Sequence, residues 1–334
     1  MSRLTTFLVL RVLMALGHLA PDTACRLGGG LGVLAFHLRV RRRVATCMVQ
    51  RGVGLAGPAR AKVLRRSYAS MGANFLEVWS AGRPGGIGTG LTVLNPRWMG
   101  AMHRRHPGCV LVMPHLGSWD LAAYAMGRIF TVLSYAKVQH NLAVDRLLNQ
   151  RRTALGQTIL LTGQGDRTAA VRALRALRSG QALALLADQR PSKDEAEAAR
   201  FLGQPAWCHS GPAFFARRAG VPLMGGCCLR IRAGRSVMVV GRPWTPAAEV
   251  PTSVVTQQVM DHLTSWIRAH PGQYFWQHRR FRGDEPTMAD IAGSDGASIA
   301  AIRGERMEPP STSAILGMSE ASTPRPRDPA TPRP

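Results

Sequence analysis

Apolar segments of strand length alternate with helical segments throughout residues 109–270. The strand candidates lie at 109–113, 131–136, 158–161, 182–187, 222–231 and 236–240. The helix candidates lie at 117–128, 144–156, 167–179, 211–219 and 253–270. Such alternation is typical of a mixed, largely parallel sheet flanked by helices, in which ligands bind at the carboxyl ends of the strands. The sequence therefore predicts an α/β fold.

The N-terminal region reads as helical. Residues 58–79 carry apolar side chains at helical spacing, and a glycine-rich loop at 82–90 separates them from the alternating body. Residues 4–20 are mostly apolar but are interrupted by Arg11 and His18. At 1.5 Å per residue they span roughly 25 Å, just short of a hydrocarbon core. Because Arg11 interrupts the apolar run, we expect a retained membrane anchor rather than a cleaved signal peptide.

A second apolar stretch at 27–38 contains four glycines, and it is followed at once by Arg39, Arg41, Arg42 and Arg43. Apolar helices that end in arginine clusters are typical of interfacial insertion beside anionic lipids on the cytoplasmic side. The alternative is a core helix with a solvated basic end. We predict membrane-anchoring helices within 1–45, with the rest of the folded chain on the cytoplasmic side of the membrane.

The end of the chain has a different composition. From Gly283 onward, Gly, Pro, Ser, Thr and Ala dominate without apolar periodicity. We predict a disordered tail at 283–334 and a folded domain at 46–282.

Positive charge belongs to the folded part. The chain has 43 basic and 19 acidic residues, of which the segment from Gly283 holds 5 and 8, leaving a net charge of +27 before it. Arginine's planar fork suits phosphate, so anionic lipids, an acidic protein and nucleic acid are all possible partners. Zinc-finger spacing, an RNP-like aromatic block and a lysine-rich arm are all missing, which disfavours nucleic acid. Codon usage rich in G and C is an alternative source of the arginine excess over lysine.

The six cysteines are Cys25, Cys47, Cys109, Cys208, Cys227 and Cys228. They form no CxxC pair and no His/Cys ligand spacing, and several lie in apolar runs. We predict reduced cysteines and no bound metal.

The most informative segment is VMPHLGSWD at residues 112–120. An apolar strand leads into His115, Gly117 begins a turn, and Asp120 follows five positions after the histidine. A carboxylate there could fix the imidazole tautomer while the other ring nitrogen takes a proton from a hydroxyl. The helix that begins behind Gly117 could also offer backbone N–H groups to an oxyanion.

HLGSWD resembles the HxGNWE-type block of the bacterial lysophospholipid acyltransferase superfamily, in the branch of lipid A late acyltransferases. That branch includes mycobacterial phosphatidylinositol mannoside acyltransferases. The likeness extends over roughly 4–282 and includes ANFLEVW (73–79), GQALALLADQR (180–190) and QYFWQHRRFR (273–282). It departs from the pattern at Ser118, where the block has Asn, and at Asp120, where it has Glu.

The resemblance implies a glycerol-3-phosphate acyltransferase-like αβα fold, with His115 as general base and Asp120 as the acid that orients it. It also implies that Asp188 and Arg190 belong to a second block near the cleft. Arg152, Arg279 and Arg280 are further candidates for binding substrate phosphates, although solvated surface arginines are the alternative.

The implied reaction needs no cofactor, since a thioester of acyl carrier protein or CoA serves as co-substrate. The acceptor is a hydroxyl of a lipid A precursor or of another glycolipid such as a phosphatidylinositol mannoside. Partners are then acyl carrier protein, the glycolipid and anionic lipids of the inner membrane. A basic protein that binds nucleic acid or membranes without catalysis is the alternative of another class.

Overall fold

The central strand β2 (Cys109–Met113) is buried at every position in the computed structural model. Val110 and Val112 join one apolar cluster, and Leu111 joins another on the opposite face of the sheet. Strands of a parallel sheet that is covered on both faces are continuous apolar runs, which is why the predicted bounds of this strand are correct.

The structure describes Ala15 and residues 19–80, 90–138, 142–162 and 167–294. The other strands are β1 (Leu91–Val93), β3 (Val132–Lys137), β4 (Thr158–Thr162), β5 (Ala182–Leu186), β6 (Ala196–Phe201), β7 (Gln204–His209), β8 (Leu223–Arg232) and β9 (Arg235–Val240). Seven strands form one sheet in the order β1-β9-β8-β2-β5-β3-β4, in which β8 and β9 pair antiparallel and the other neighbours pair parallel. The prediction of a mixed, largely parallel sheet is confirmed.

Helices cover both faces of the sheet. They are α1 (Pro21–His37), α2 (Arg42–Val53), α3 (Gly57–Ser80), α4 (Pro96–Arg105), α5 (Trp119–Gly127), α6 (Leu142–Ala154), α7 (Arg167–Arg178), α8 (Gly211–Ala219), α9 (Thr252–Ala269) and α10 (Met288–Ser294). Helices α6 and α7 contact β4, while α4 and α5 pack on the cluster that contains Leu111.

Residues 283–294 of the predicted disordered tail belong to the described part of the chain and include α10. The backbone carbonyl of Asp284 accepts a hydrogen bond from Trp207 Nε1, and Ile291 of α10 is buried. Packing against the β6–β7 hairpin stabilises this segment although its own sequence has little apolar periodicity. Residues 295–334 lie outside the described part of the chain.

Among the helices that the structure describes, we find none that combines the length and the apolar character needed to cross a bilayer. Most of the predicted anchor at 4–20 lies outside the described residues. The remainder of the predicted 1–45 anchor packs on the body, since α1 lies along α3 and Phe36 and Ala45 enter the main core.

Glycines bring α1 and α3 into backbone contact. A Cβ added to Gly28 would lie 2.3 Å from the carbonyl oxygen of Gly72, and one added to Gly32 would lie 2.0 Å from that of Tyr68. The glycine-rich stretch at 27–38 is therefore a helix-packing surface on one side.

We expect Gly32→Ala to lower the free energy of unfolding by about 3 kcal/mol, because the methyl group forces two helix backbones apart. Gly30→Ala is the matched control in the same helix, since a Cβ at Gly30 would have no atom within 4 Å. The control should be neutral or should stabilise by up to about 1 kcal/mol through helix propensity. Urea unfolding of both variants checks this, and equal effects would contradict the packing argument.

A buried histidine makes the stability depend on pH. His262 of α9 lies under β8, where a Cβ added to Gly225 would fall 1.7 Å from its Nε2, and this nitrogen accepts a hydrogen bond from Trp266 Nε1 at 3.0 Å. Burial lowers the pKa of His262 to about 4, although a hydrogen bond with the backbone of Gly225 acts in the opposite direction.

The unfolded chain binds this proton near pH 6.5, whereas the folded chain binds it only near pH 4. The contribution of neutral His262 to the free energy of unfolding is therefore fully present above pH 6.5 and is lost as the pH falls from 6.5 to 4. The expected loss from this one group is about 3 kcal/mol at pH 4. Urea unfolding at a series of pH values measures it. His262→Gln, which retains an acceptor for Trp266, should remove this part of the slope, and an unchanged slope would contradict the assignment.

Candidate active site

His115 and Asp188 meet at the carboxyl ends of two neighbouring strands. Strands β2 and β5 pair parallel with Met113 opposite Leu186, so the residues two positions beyond each strand also lie side by side. His115 Nδ1 lies 2.7 Å from Asp188 Oδ1, and the backbone N–H of His115 donates to the same oxygen at 3.1 Å. The imidazole is thus held by both its ring and its own backbone.

The protonation states follow from this contact. Burial would raise the pKa of Asp188, but the charge of His115 and hydrogen bonds from His115 and Tyr274 outweigh it and lower the pKa below its usual value. An ionised Asp188 accepts a hydrogen bond from Nδ1–H, which leaves the lone pair of the neutral imidazole on Nε2. The His115 side chain keeps 17% exposure, so this nitrogen can be reached from outside.

Aromatic rings flank the imidazole. The ring centroids of Trp119 and Phe275 lie 5.2 and 6.2 Å from that of His115, and the two aromatic rings stack on each other at 6.4 Å. All three residues are partly exposed. A basic nitrogen beside partly exposed apolar surface suits a reaction between a hydroxyl and a group carried by a lipid.

The loop that carries His115 is held by its neighbours. Gly117 adopts φ of +63°, and a Cβ there would lie 2.1 Å from the carbonyl oxygen of Cys228. The Gly117 N–H donates to Gln273 O at 3.1 Å, and the Ser118 N–H donates to Cys228 O at 2.7 Å. These two N–H groups are therefore occupied, so the predicted use of this turn as an oxyanion site cannot rest on them.

The predicted hydrogen bond between His115 and Asp120 is wrong. Asp120 lies in the first turn of α5, and its Oδ1 accepts from Arg152 Nε at 2.8 Å and lies 2.7 Å from Arg152 Nη2. Gln157 Nε2 also donates to the Asp120 carbonyl at 3.2 Å. This acid ties α5 to α6 and β4, and the acid that orients the imidazole is Asp188. The catalytic roles of His115 and Asp120 stay predictions.

The arginines predicted to bind substrate differ in their surroundings. Arg152 holds Asp120, and Arg190 forms a bidentate pair with Asp284 at 2.6 and 2.7 Å. Arg280 is buried, and it donates to the Asp188 carbonyl at 2.8 Å and to Cys208 Sγ at 3.2 Å. It supports the end of β5 rather than facing a phosphate. Arg279 is exposed, and phosphate binding stays a prediction for it.

Two residues of this site were not selected from the sequence. Tyr274 is buried and hydrogen-bonds Asp188, and Asp188 in turn raises the pKa of Tyr274 well above its usual value, with burial as the larger cause. His278 Nε2 accepts from the Arg190 backbone N–H at 3.4 Å, and burial lowers the pKa of His278 to about 4 against the opposing charge of Asp188. Their place beside His115 and Asp188 could have been suspected only from QYFWQHRRFR as a block.

The structure describes no cluster of three or more His, Cys, Asp or Glu side chains arranged to hold a metal ion. Cys25, Cys109, Cys208, Cys227 and Cys228 are buried free thiols, and Cys47 is an exposed one.

Comparison with known proteins identifies the family to which the chain belongs. Residues 1–283 match the sequence model of the bacterial lipid A biosynthesis acyltransferase family, and the chain belongs to that family. The family takes its name from acyl transfer.

Among curated proteins, the chain is similar to the phosphatidylinositol mannoside acyltransferase of two strains of Mycobacterium tuberculosis. The identity is 26% over 196 residues, which is 58% of this chain. The matched region likewise covers 58% of the length of these relatives.

Proposed function

We propose that this enzyme transfers a fatty acyl group from a thioester of acyl carrier protein to a hydroxyl of a lipid A precursor. The observation that carries the proposal is the His115 imidazole, held at Nδ1 by Asp188 at 2.7 Å with Nε2 left to face a reactant. Membership of the lipid A acyltransferase family supports the acceptor, and the net charge of +24 suits an acidic carrier protein.

In the proposed reaction, Nε2 of His115 takes the proton of the acceptor hydroxyl as its oxygen attacks the thioester carbonyl carbon. Asp188 stabilises the imidazolium that forms. The tetrahedral intermediate collapses with cleavage of the C–S bond, and the imidazolium returns its proton to the departing thiolate. The products are an ester and a free thiol, with no covalent enzyme intermediate.

A second candidate is transfer from acyl-CoA to a phosphatidylinositol mannoside or a related glycolipid. It is favoured by the similarity of the chain to phosphatidylinositol mannoside acyltransferases. Both candidates use the same base and differ in donor and acceptor.

A two-by-two assay separates them: acyl carrier protein or CoA thioester as donor, with a lipid A precursor or a phosphatidylinositol mannoside as acceptor. We expect product, detected by mass spectrometry, from the acyl carrier protein and lipid A combination. Product only from CoA and the mannoside would replace the first proposal by the second. A lack of transfer in all four reactions would contradict both.

We also propose that the enzyme works at the cytoplasmic face of the inner membrane, with α1 on its anionic lipids. The exposed side of α1 carries leucines at helical spacing that are 42 to 68% exposed: Leu27, Leu31, Leu34 and Leu38. Exposed arginines follow at positions 39, 41 and 43. Apolar side chains beside a basic cluster suit the boundary between acyl chains and anionic headgroups.

Flotation with vesicles that contain anionic phospholipid tests this surface. We expect Leu31→Glu with Leu34→Glu to weaken binding about tenfold or more, because two charges enter the apolar boundary. Val171→Glu is the matched control, since Val171 is 56% exposed on α7. Equal loss in both variants, or no loss in either, would contradict a role for α1.

A further inference from the structure

An arginine is enclosed beneath the loop that carries His115. The side chain of Arg230, on β8, is 10% exposed and that of Glu77, on α3, is 5% exposed. Arg230 Nε donates to Glu77 Oε1 at 3.0 Å, and Nη2 lies 2.5 Å from Oε2. A buried ion pair of this kind adds little stability over apolar residues of the same volume, because both charges lose their hydration. Its contacts therefore indicate what else it does.

The ion pair is joined to the two residues that turn the chain after His115 and Leu116. Ser118 Oγ donates to Glu77 Oε2 at 3.0 Å and accepts from Arg230 Nη2 at 2.9 Å. Asn74, one turn before Glu77 on α3, accepts from the same guanidinium and donates to the Gly117 carbonyl. Both the side chain of Ser118 and the backbone of Gly117 are thus fixed by one charged pair.

Arg230 and helix α3 also hold the segment at 273–275, which lies on the other side of the site. Gln273 exchanges two side-chain hydrogen bonds with the backbone of Arg230, each at 3.0 Å, while its carbonyl accepts from the Gly117 N–H. Ser67, further along the same face of α3, donates to the Tyr274 carbonyl at 2.6 Å. Tyr274 bonds Asp188 through its side chain. Helix α3 and Arg230 therefore hold both the histidine loop and the segment at 273–275.

We propose that Glu77, acting through Arg230 and Ser118, is a positioning residue for acyl transfer. The ion pair sets the turn at 117–118, and the turn sets where His115 Nε2 points relative to the bound hydroxyl. The Ser118 hydroxyl joins the two charged groups, as a donor to Glu77 and an acceptor from Arg230. This inference rests on the proposed function, because it concerns the geometry of the proton transfer assigned to His115.

The test uses the partition of the thioester between transfer to the glycolipid and hydrolysis by water, measured in one reaction. If the base is displaced, proton transfer from the fixed sugar hydroxyl slows more than proton transfer from water, because water is small and approaches from many directions. The ratio of hydrolysis to transfer does not depend on the folded fraction, so a purely structural defect leaves it unchanged.

The informative variants are Ser118→Ala and Glu77→Gln. We expect each to raise the ratio of hydrolysis to transfer by about tenfold. Ser70→Ala is the matched control. Ser70 accepts from the same guanidinium at 2.9 Å, and in the described part of the chain its side chain makes no hydrogen bond to the histidine loop. This control should retain the wild-type ratio.

Each outcome decides the matter. Glu77→Gln leaves Arg230 unpaired and can fail to fold, whereas Ser118→Ala keeps the ion pair and carries the test alone. A wild-type ratio in folded Ser118→Ala overturns the positioning role while leaving the proposed function intact. If the wild-type protein shows no transfer that depends on His115, the proposed function fails instead.

Discussion

Replacing His115 by alanine should lower kcat for acyl transfer by about 10² to 10⁴, the usual contribution of a positioned general base. No other nitrogen of the described site combines a free lone pair, a buried carboxylate partner and access from outside. The neighbouring His278 receives a backbone N–H at its Nε2 and does not replace it. Initial rates with saturating donor and acceptor measure the effect.

His115→Gln separates the base from the scaffold. The glutamine amide can still donate to Asp188, as His115 Nδ1 does at 2.7 Å, but it cannot take a proton. We expect both variants to be equally inactive and to unfold within a few degrees of the wild-type Tm. Turnover near the wild-type value in either folded variant would remove His115 from the mechanism.

The sequence identified both members of the histidine–carboxylate pair but joined the histidine to the wrong acid. His115 and Asp188 each follow an apolar strand by two residues, and both were selected as site residues. Their contact depends on β2 lying next to β5 with Cys109 opposite Ala182. Neither strand order nor register can be read from one sequence, since other strands intervene along the chain. Asp120 was preferred because five residues is a short separation, although its side chain turns to Arg152.

The strands and helices of the body were predictable because their burial imposes a regular pattern. Strand β2 and helix α8 have the predicted bounds, and the other predicted elements differ at their ends by a few residues. The β6–β7 hairpin was missed, because neither of its strands is among the apolar strand candidates. Short β1 was missed because three residues give no period.

The arginines show where single-sequence reasoning ends. A guanidinium in the sequence looks equally suited to phosphate, to a carboxylate or to solvent. Arg190 pairs with Asp284, beyond the predicted domain end, and Arg230 was not selected at all although its side chain is only 10% exposed. Glu77 and Asn74 lie in α3, a helix that the sequence predicts from its apolar positions alone. Long-range pairing decides these roles, since Glu77 and Arg230 are separated by 153 positions in the sequence.

The two candidate acids should differ strongly when each is changed to its amide. Asp188→Asn replaces the acceptor at His115 Nδ1 by a group that can donate to it, which favours the tautomer with the proton on Nε2. That tautomer cannot accept the hydroxyl proton, so we expect kcat to fall by about 10² or more. Asp120→Asn leaves an oxygen for Arg152 in a contact that is already partly exposed, and we expect a loss of less than about tenfold.

The comparison is made on rates at one pH, with circular dichroism and Tm showing that both variants are folded. Both changes preserve side-chain shape and remove one negative charge, so each variant is the control for the other. A larger loss in Asp120→Asn than in Asp188→Asn would return the orienting role to Asp120. Equal small losses would show that His115 needs no carboxylate, because orientation by its backbone bond to the strand end would then be sufficient.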